Sequence, residues 1–77
     1  MDADIIIKGI GKRIRELRQE RGMTLIDLGA LCDMEKQTVQ RIEVGGTNPT
    51  IKTLVKLASS LGVHYTVLFP RTDSEEE

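Results

Sequence analysis

Apolar residues in this chain recur every three or four positions, which is the spacing of helices with one buried face. In the first such segment, the stripe is formed by Ile10, Ile14 and Leu17. It ends before Gly22, a residue suited to the left-handed conformation that closes many helices. The pattern predicts a first helix over about residues 10–21.

A second helix begins at a capping box. Thr24 and Asp27 have the spacing at which a hydroxyl and a carboxylate satisfy free N–H groups at a helix start. They predict helix 2 over about residues 25–32. Its inward residues are Leu25, Leu28 and either Leu31 or Cys32.

A three-residue turn at 33–35 leads into helix 3, predicted over about 36–44. Val39 and Ile42 form its inner stripe, and two glycines, at 45 and 46, end it. Helix 3 therefore follows helix 2 across a tight turn.

The clearest helical pattern lies in the last third of the chain. Thr50 can cap this helix 4 and Gly62 can close it. His64 stands at the N-cap of a short apolar helix or turn over 64–69, which Pro70 ends. The predicted inner stripe of helix 4 is Ile51, Leu54, Val55, Ala58 and Leu61.

The length allows one small domain, and the charge divides unevenly between that domain and a short acidic tail. The chain has 77 residues, of which 39% are hydrophobic and 30% charged, as in ordinary globular proteins. Its formal net charge of −1 combines +2 over residues 1–70 with −3 over residues 71–77. We divide it into an N-terminal arm (1–9), a domain (10–70) and an acidic disordered tail (71–77). No apolar run approaches the roughly 18 residues of a membrane span, so we expect no membrane association and a cytoplasmic location.

The sequence lacks the residues that catalysis or metal binding would need. A Cys-His nucleophilic pair would have to join Cys32, on the inner stripe of helix 2, to His64, at a cap position. One cysteine and one histidine are too few for a structural zinc site. No glycine-rich phosphate loop follows a strand. We expect no enzymatic activity, no metal and no cofactor.

The outer face of helix 3 carries long hydrogen-bonding side chains instead. When Val39 and Ile42 point inward, helix geometry leaves the opposite side to Lys36, Gln37, Gln40 and Arg41. Arginine and lysine can bond guanine, glutamine can bond adenine, and a helix fits a major groove about 12 Å wide. Polar outward faces are common to solvated helices, so this pattern alone favours an ordinary helix face over a DNA-reading one.

Several short motifs follow one another along about 60 of the residues. They are Ile10–Arg18 (IGKRIRELR), Arg21–Leu28 (RGMTLIDL), Thr38–Glu43 (TVQRIE) with Gly45, Asn48–Leu54 (NPTIKTL), and Leu61–Val63 with Leu68 and Phe69. In this order and spacing they resemble the lambda-repressor-like helix-turn-helix family, also called the XRE family. The resemblance implies an all-α, compact five-helix bundle in which helices 2 and 3 form the helix-turn-helix and helix 3 enters the major groove. It also implies transcriptional control, commonly by a homodimer on a palindromic double-stranded DNA site.

The resemblance further implies roles for individual residues. It places Lys36, Gln37 and Arg41 at positions that meet base edges, with Gln40 nearby. The positions that contact phosphate are Thr24, Gly46, Thr47 and Asn48.

Three positions depart from the family pattern and affect the expected DNA contacts rather than the fold. Leu25 stands where a phosphate-contacting glutamine is common, and Asp33 stands where the turn usually has glycine. Glu35 replaces the usual Ser or Thr cap of helix 3. Its carboxylate suits the helix dipole but repels a nearby phosphate.

Two opposite charges border the apolar stripes of different helices. Arg18 lies four residues after Ile14, and Glu43 lies four residues after Val39. We predict a partly buried ion pair that ties helix 1 to helix 3, as the family resemblance also implies. Two independent surface charges would contribute almost nothing to stability.

Apolar residues near both ends predict a homodimer. The run Ile5–Ile7 precedes helix 1, and Gly9 and Gly11 disfavour a helical extension through it. The run can pair as a short strand with its twin or pack on its own bundle as an extra helical turn, and we favour a role between subunits. The predicted interface comprises Ile5, Ile6, Ile7, Tyr65, Val67 and Phe69.

We therefore predict a sequence-specific DNA-binding transcriptional regulator, a repressor rather than an activator, that acts as a homodimer. The alternative is a protein-interaction module of the same fold, such as an antitoxin or an adaptor.

Overall fold

Four α-helices and one short 3₁₀ turn are formed by residues 2–70. The computed structural model describes residues 2–70, none of which lies in a β-strand. The elements are α1 (Ala3–Glu20), α2 (Leu25–Cys32), α3 (Lys36–Glu43), α4 (Ile51–Leu61) and the 3₁₀ turn Tyr65–Leu68. The all-α prediction is confirmed, and the expected five-helix bundle is corrected to four α-helices. The last segment stays a 3₁₀ turn because only four residues separate the cap at His64 from the C-cap at Phe69, which Pro70 follows.

The first helix begins at Ala3, well before the predicted start at residue 10. Asp2 caps it by accepting the N–H of Asp4 at 2.9 Å. Residues 3–9 are thus part of α1 and not a separate arm, and Ile5–Ile7 are helical, which excludes the strand pairing of this run. The tail expected at 71–77 lies outside the described residues.

The two glycines that weigh against this extension are sites of close packing. A Cβ at Gly9 would lie 2.8 Å from Cγ of Pro70. A Cβ at Gly11 would overlap the carbonyl oxygen of Ile42 at the end of α3. Tertiary contacts therefore explain why glycine stands inside this helix despite its low helix propensity.

The predicted caps of the later helices are present. Thr24 Oγ accepts the N–H of Asp27 at 3.0 Å, and the Asp27 carboxylate accepts the N–H of Thr24 at 2.9 Å. Thr50 caps α4, and Gly62 closes it with a φ of 74°. Asp33, in the turn between α2 and α3, adopts a left-handed φ of 58°, a conformation that Asp tolerates better than most side chains.

Aliphatic side chains from every element form the core. Among them, Ile14, Leu28, Val39, Leu57 and Leu68 are completely buried. The predicted stripe of helix 4 is correct only in part. Leu54, Ala58 and Leu61 are buried as predicted, and Leu57 is buried with them, whereas Ile51 and Val55 are 62% and 45% exposed. In α2, of the two residues predicted as alternatives, Cys32 is buried and Leu31 is exposed.

An ion pair fixes α3 against α1. Arg18 Nε donates to Glu43 Oε2 at 2.7 Å, and Nη2 donates to Oε1 at 3.0 Å. Nη1 donates to the carbonyl of Met23 at 2.8 Å. Both charged residues are buried, and the hydrogen bond to Glu43 raises the pKa of Arg18 above its ordinary value. The ion pair expected from the sequence is present, and its two parallel hydrogen bonds give it the bidentate geometry that makes such contacts strong.

No helix within residues 2–70 is long and apolar enough to cross a membrane.

Candidate nucleic-acid interface

The outer face of α3 presents the side chains that the sequence points to. Lys36, Gln37, Gln40 and Arg41 are all exposed. On the opposite side of the helix, Val39, Ile42 and Glu43 are buried. Because packing holds one face, the other is displayed on a fixed support.

The start of α3 is open to an external acceptor. Glu35 is the N-cap, but its side chain makes no capping hydrogen bond. Its carbonyl accepts the N–H groups of Thr38 and Val39. Within residues 2–70, the N–H groups of Lys36 and Gln37 donate no hydrogen bond, so they remain available to a ligand.

One groove joins the end of α3 to the loop that follows. Arg41, Thr47 and Asn48 line it together, with Thr50 and Lys56 from the start and middle of α4.

Gly46, in the same loop, is differently placed. Its N–H donates to the carbonyl of Arg41 at 2.9 Å. A phosphate contact through this N–H would therefore compete with the hydrogen bond that closes α3. Thr47 and Asn48 carry exposed side chains and do not share this constraint.

A second groove joins the start of α2 to the start of α3. Thr24 and Lys36 line it, together with Leu25 and Ile26. The N–H of Thr24 is already bound to the Asp27 carboxylate, so a phosphate contact by Thr24 would have to use its hydroxyl. Hydrogen bonds from the N–H and from the side chain of Thr24 lower the pKa of Asp27 below its ordinary value and keep its negative charge at this helix start.

The structure thus brings Arg41, Thr47 and Asn48 together in one groove, and Thr24 and Lys36 in another. Gln37 lines neither groove and is exposed. Sequence reasoning did not single out Arg15, which lines a third groove with Gln40 and Val44. Its spacing from Arg18, one helical turn, is the signal that could have placed it beside α3.

The residues predicted to form a dimer interface divide into two groups. Ile5 and Tyr65 are 63% and 41% exposed. By contrast, Ile6, Val67 and Phe69 are partly buried and pack on the core of their own chain. Ile7 is half-buried and lines an apolar groove between α1 and the start of α4.

Comparisons with known proteins agree with this architecture. A helix-turn-helix family model, HTH_3, matches residues 14–68. The HTH-type transcriptional regulator DdrOP3 of Deinococcus deserti is 42% identical over 52 residues, 68% of this chain and 40% of that protein. An uncharacterized HTH-type transcriptional regulator of Sinorhizobium fredii, y4dJ, is 36% identical over 66 residues, 86% of each chain.

A solved structure extends the comparison to three dimensions. The restriction-modification controller protein C.AhdI of Aeromonas hydrophila superimposes with a TM-score of 0.79 at 30% identity, covering 82% of this chain and 96% of that one. The present chain therefore spans most of y4dJ and C.AhdI but only about two fifths of DdrOP3. It belongs to the HTH_3, or XRE-type, family of DNA-binding helix-turn-helix transcription regulators, and DdrOP3, y4dJ and C.AhdI are all named as regulators and not as enzymes.

Proposed function

We propose that this protein is a sequence-specific transcriptional repressor that reads the DNA major groove with α3. One observation carries the proposal: the inner face of α3 is fixed by the core and by the Arg18–Glu43 pair, and the outer face is exposed. A rigid helix with that arrangement can hold its side chains at base edges, and occupation of a promoter then blocks transcription without any activating contact.

The roles of the α3 side chains follow from their chemistry. Lys36 and Arg41 can donate to guanine O6 and N7, and Gln37 can form two hydrogen bonds with adenine. Gln40 lies beside them on the same face. Base reading is therefore assigned to these residues of the outer face.

Phosphate contacts are assigned to the two flanking grooves. Thr47 and Asn48 contribute from the loop after α3, beside the main chain of Gly46. Thr24 contributes its hydroxyl proton at the start of α2. Such contacts fix the position of the protein on the duplex and carry no sequence information directly.

A homodimer is the assembly that fits this function. Ile5 and Tyr65 leave apolar surface uncovered, and the groove that contains Ile7 adds to it. A two-fold axis would place two copies of α3 about 34 Å apart, one turn of duplex, and would require a palindromic site. The proposed interface consists of Ile5, Ile6, Ile7, Tyr65, Val67 and Phe69. We propose a cytoplasmic location, because a DNA-binding regulator has to share a compartment with its DNA.

Selection of bound duplexes from a random pool, followed by footprinting, tests the DNA proposal. We expect a palindromic consensus whose half-sites lie one helical turn apart. Retention of the pool without enrichment of any sequence would contradict sequence-specific reading. Transcription in vitro from a promoter that overlaps the selected site should fall as protein is added, whereas a rise would contradict repression.

Sedimentation equilibrium tests the dimer. Ile5→Lys places a charge in the proposed interface and should shift the protein towards monomer at micromolar concentration. Leu31→Lys is the matched control, since Leu31 is equally exposed but lies on α2, outside the interface. A monomeric wild-type protein would contradict the dimer, and an equal effect of both variants would contradict this interface.

A protein-interaction module, acting as an antitoxin or adaptor, is the second candidate. Exposed Ile26 and Leu31 on α2 favour it, because they offer apolar surface to a protein partner. The salt dependence of DNA binding separates the two functions. Binding that weakens steeply with salt indicates counterion release from phosphates, and the absence of duplex binding favours the module.

A further inference from the structure

The exposed side of α1 carries a row of basic residues beside α3. Lys8, Lys12 and Arg15 are spaced by four and three positions, so they share one helix face. All three are exposed. This row, which we name the α1 basic row, lies outside the DNA-contacting residues assigned above.

One end of the row lies next to the proposed base-reading face. Arg15 lines a groove with Gln40 and Val44, at the C-terminal half of α3. Arg18 reaches the same groove but is fully engaged by Glu43 and the Met23 carbonyl. Arg15 is therefore the cation in this groove that remains available to a ligand.

The other end lies against the loop that follows α3. The stem of Lys8 packs over Gly45, where an added Cβ would lie 2.6 Å from Cγ and 3.1 Å from Cα of Lys8. Gly45 has a φ of 77° and directly precedes Gly46 and Thr47 of the proposed phosphate-contacting loop. The Lys8 side chain, which ends in an ammonium group, thus extends from the edge of that loop.

The carboxylates near α1 are engaged elsewhere or stand apart. Glu16 lies 3.5 Å from Arg13, which is on another face of the helix. Glu43 is paired with Arg18. Within residues 2–70, no carboxylate lies within 4.0 Å of Lys8, Lys12 or Arg15. Asp4 and Glu16 lie one helical turn from Lys8 and Lys12 but form no ion pair with them within the described residues, so the row keeps exposed positive charge.

We infer that the α1 basic row, through Lys8 and Arg15, forms an additional binding surface for the phosphates of duplex DNA beside α3. The inference rests on the proposed function, because α3 must lie in the groove for the row to face the backbone. A major groove about 12 Å wide is bordered by phosphates on both sides of an inserted helix. With α3 in the groove, the row would face the phosphates on one side, and Thr47 and Asn48 would lie at the end of the row near Lys8.

The inference is tested with Lys8→Gln and Arg15→Gln and with the matched control Arg13→Gln. Each variant removes one charge from α1, but Arg13 lies beside Val67 and Phe69, away from α3. The probe is a mixed-sequence duplex of 20 base pairs, titrated by fluorescence anisotropy at several KCl concentrations. We expect each row variant to lower the slope of log K against log salt by about 0.9, the value for one phosphate contact. Arg13→Gln should leave the slope unchanged, and Arg15→Lys should restore it.

The outcomes separate this inference from the proposed function. If the wild-type protein binds with a steep salt slope but the row variants match Arg13→Gln, the inference is overturned and DNA binding stands. A wild-type protein without salt-dependent duplex binding overturns both. A loss in Arg15→Gln that Arg15→Lys fails to restore shows an effect other than charge and also overturns the inference.

Discussion

The two faces of α3 differ in their surroundings, since one packs against the rest of the chain and the other is exposed to solvent. Val39, Ile42 and Glu43 on the inner face are held by neighbours within the chain, and each is buried. The outer residues, such as Gln37 and Arg41, contact solvent. Stability therefore constrains the inner face, whereas a ligand outside the chain has to constrain the outer face. A substitution should affect folding on one side and recognition on the other.

The largest effect should come from breaking the ion pair on the inner face. Replacing Arg18 or Glu43 by Ala leaves the other charge buried without its partner, since their side chains are only 11% and 4% exposed. We expect each single change to lower the free energy of unfolding by about 3–5 kcal/mol. The double variant should lose much less than the sum. Urea unfolding of the three variants gives the double-mutant cycle.

The exposed pair of Arg13 and Glu16 is the control for this prediction. Their side chains are 39% and 46% exposed, so the same cycle should give a coupling below about 1 kcal/mol. A coupling near zero for Arg18 and Glu43 would remove the ion pair from the account of how α3 is held.

A smaller effect should follow from filling the contact between α1 and α3. Gly11→Ala improves helix propensity by about 1 kcal/mol, but its methyl group overlaps main-chain carbonyls of Ile42 and Glu43. Because backbone atoms cannot rotate away, we expect a net loss of about 1–3 kcal/mol. Lys12→Ala, at the exposed neighbour, should stay within about 0.5 kcal/mol. A Gly11→Ala variant as stable as wild type would show that the two helices can separate without cost.

A change on the outer face should affect recognition alone. Gln37→Ala should cost about 1–3 kcal/mol in binding at one base pair and relax the preference there, with the melting temperature unchanged. Gln19→Ala, at an exposed position of α1, is the control. Binding is compared on the selected site and on single-base variants of it. Equal losses on specific and random duplexes would reassign Gln37 to a general contact.

The same division explains what the sequence could predict. The bounds of α2 and the caps at Thr24 and Thr50 were predictable, because caps and breaks are local signals. The start of α1 was not. Propensity argues against Gly9 and Gly11 inside a helix, and only the packing against Pro70 and α3 shows why they are there.

Burial on α4 was predictable only in part, for a similar reason. Val55 and Leu57 both lie near the border of an apolar stripe, and periodicity alone does not choose between them. The direction in which α4 meets α2 and the 3₁₀ turn buries Leu57. On the outer face of α3, elimination showed that four side chains were exposed, but their proposed roles came from the family resemblance. Arg15 was missed because its partner groove is made by residues distant in sequence.

The smallest effect is expected at the start of α2, where Thr24 and Lys36 line one groove. There the N–H of Thr24 and its side chain lower the pKa of Asp27 in the folded protein. A carboxyl whose pKa is lower in the folded state than in the unfolded chain stabilises the fold at pH values above its unfolded pKa, which is about 3.9. That contribution disappears as the pH falls through the folded pKa. Asp27→Asn keeps the shape but removes the charge, so wild type should be more stable than the variant at pH 7. The difference in urea midpoint should shrink as the pH falls from about 4 through the lowered folded pKa of Asp27, because both side chains are neutral once that pKa is passed. A difference that stays constant between pH 7 and pH 3 would mean that the capping box contributes through its shape and not through the charge of Asp27.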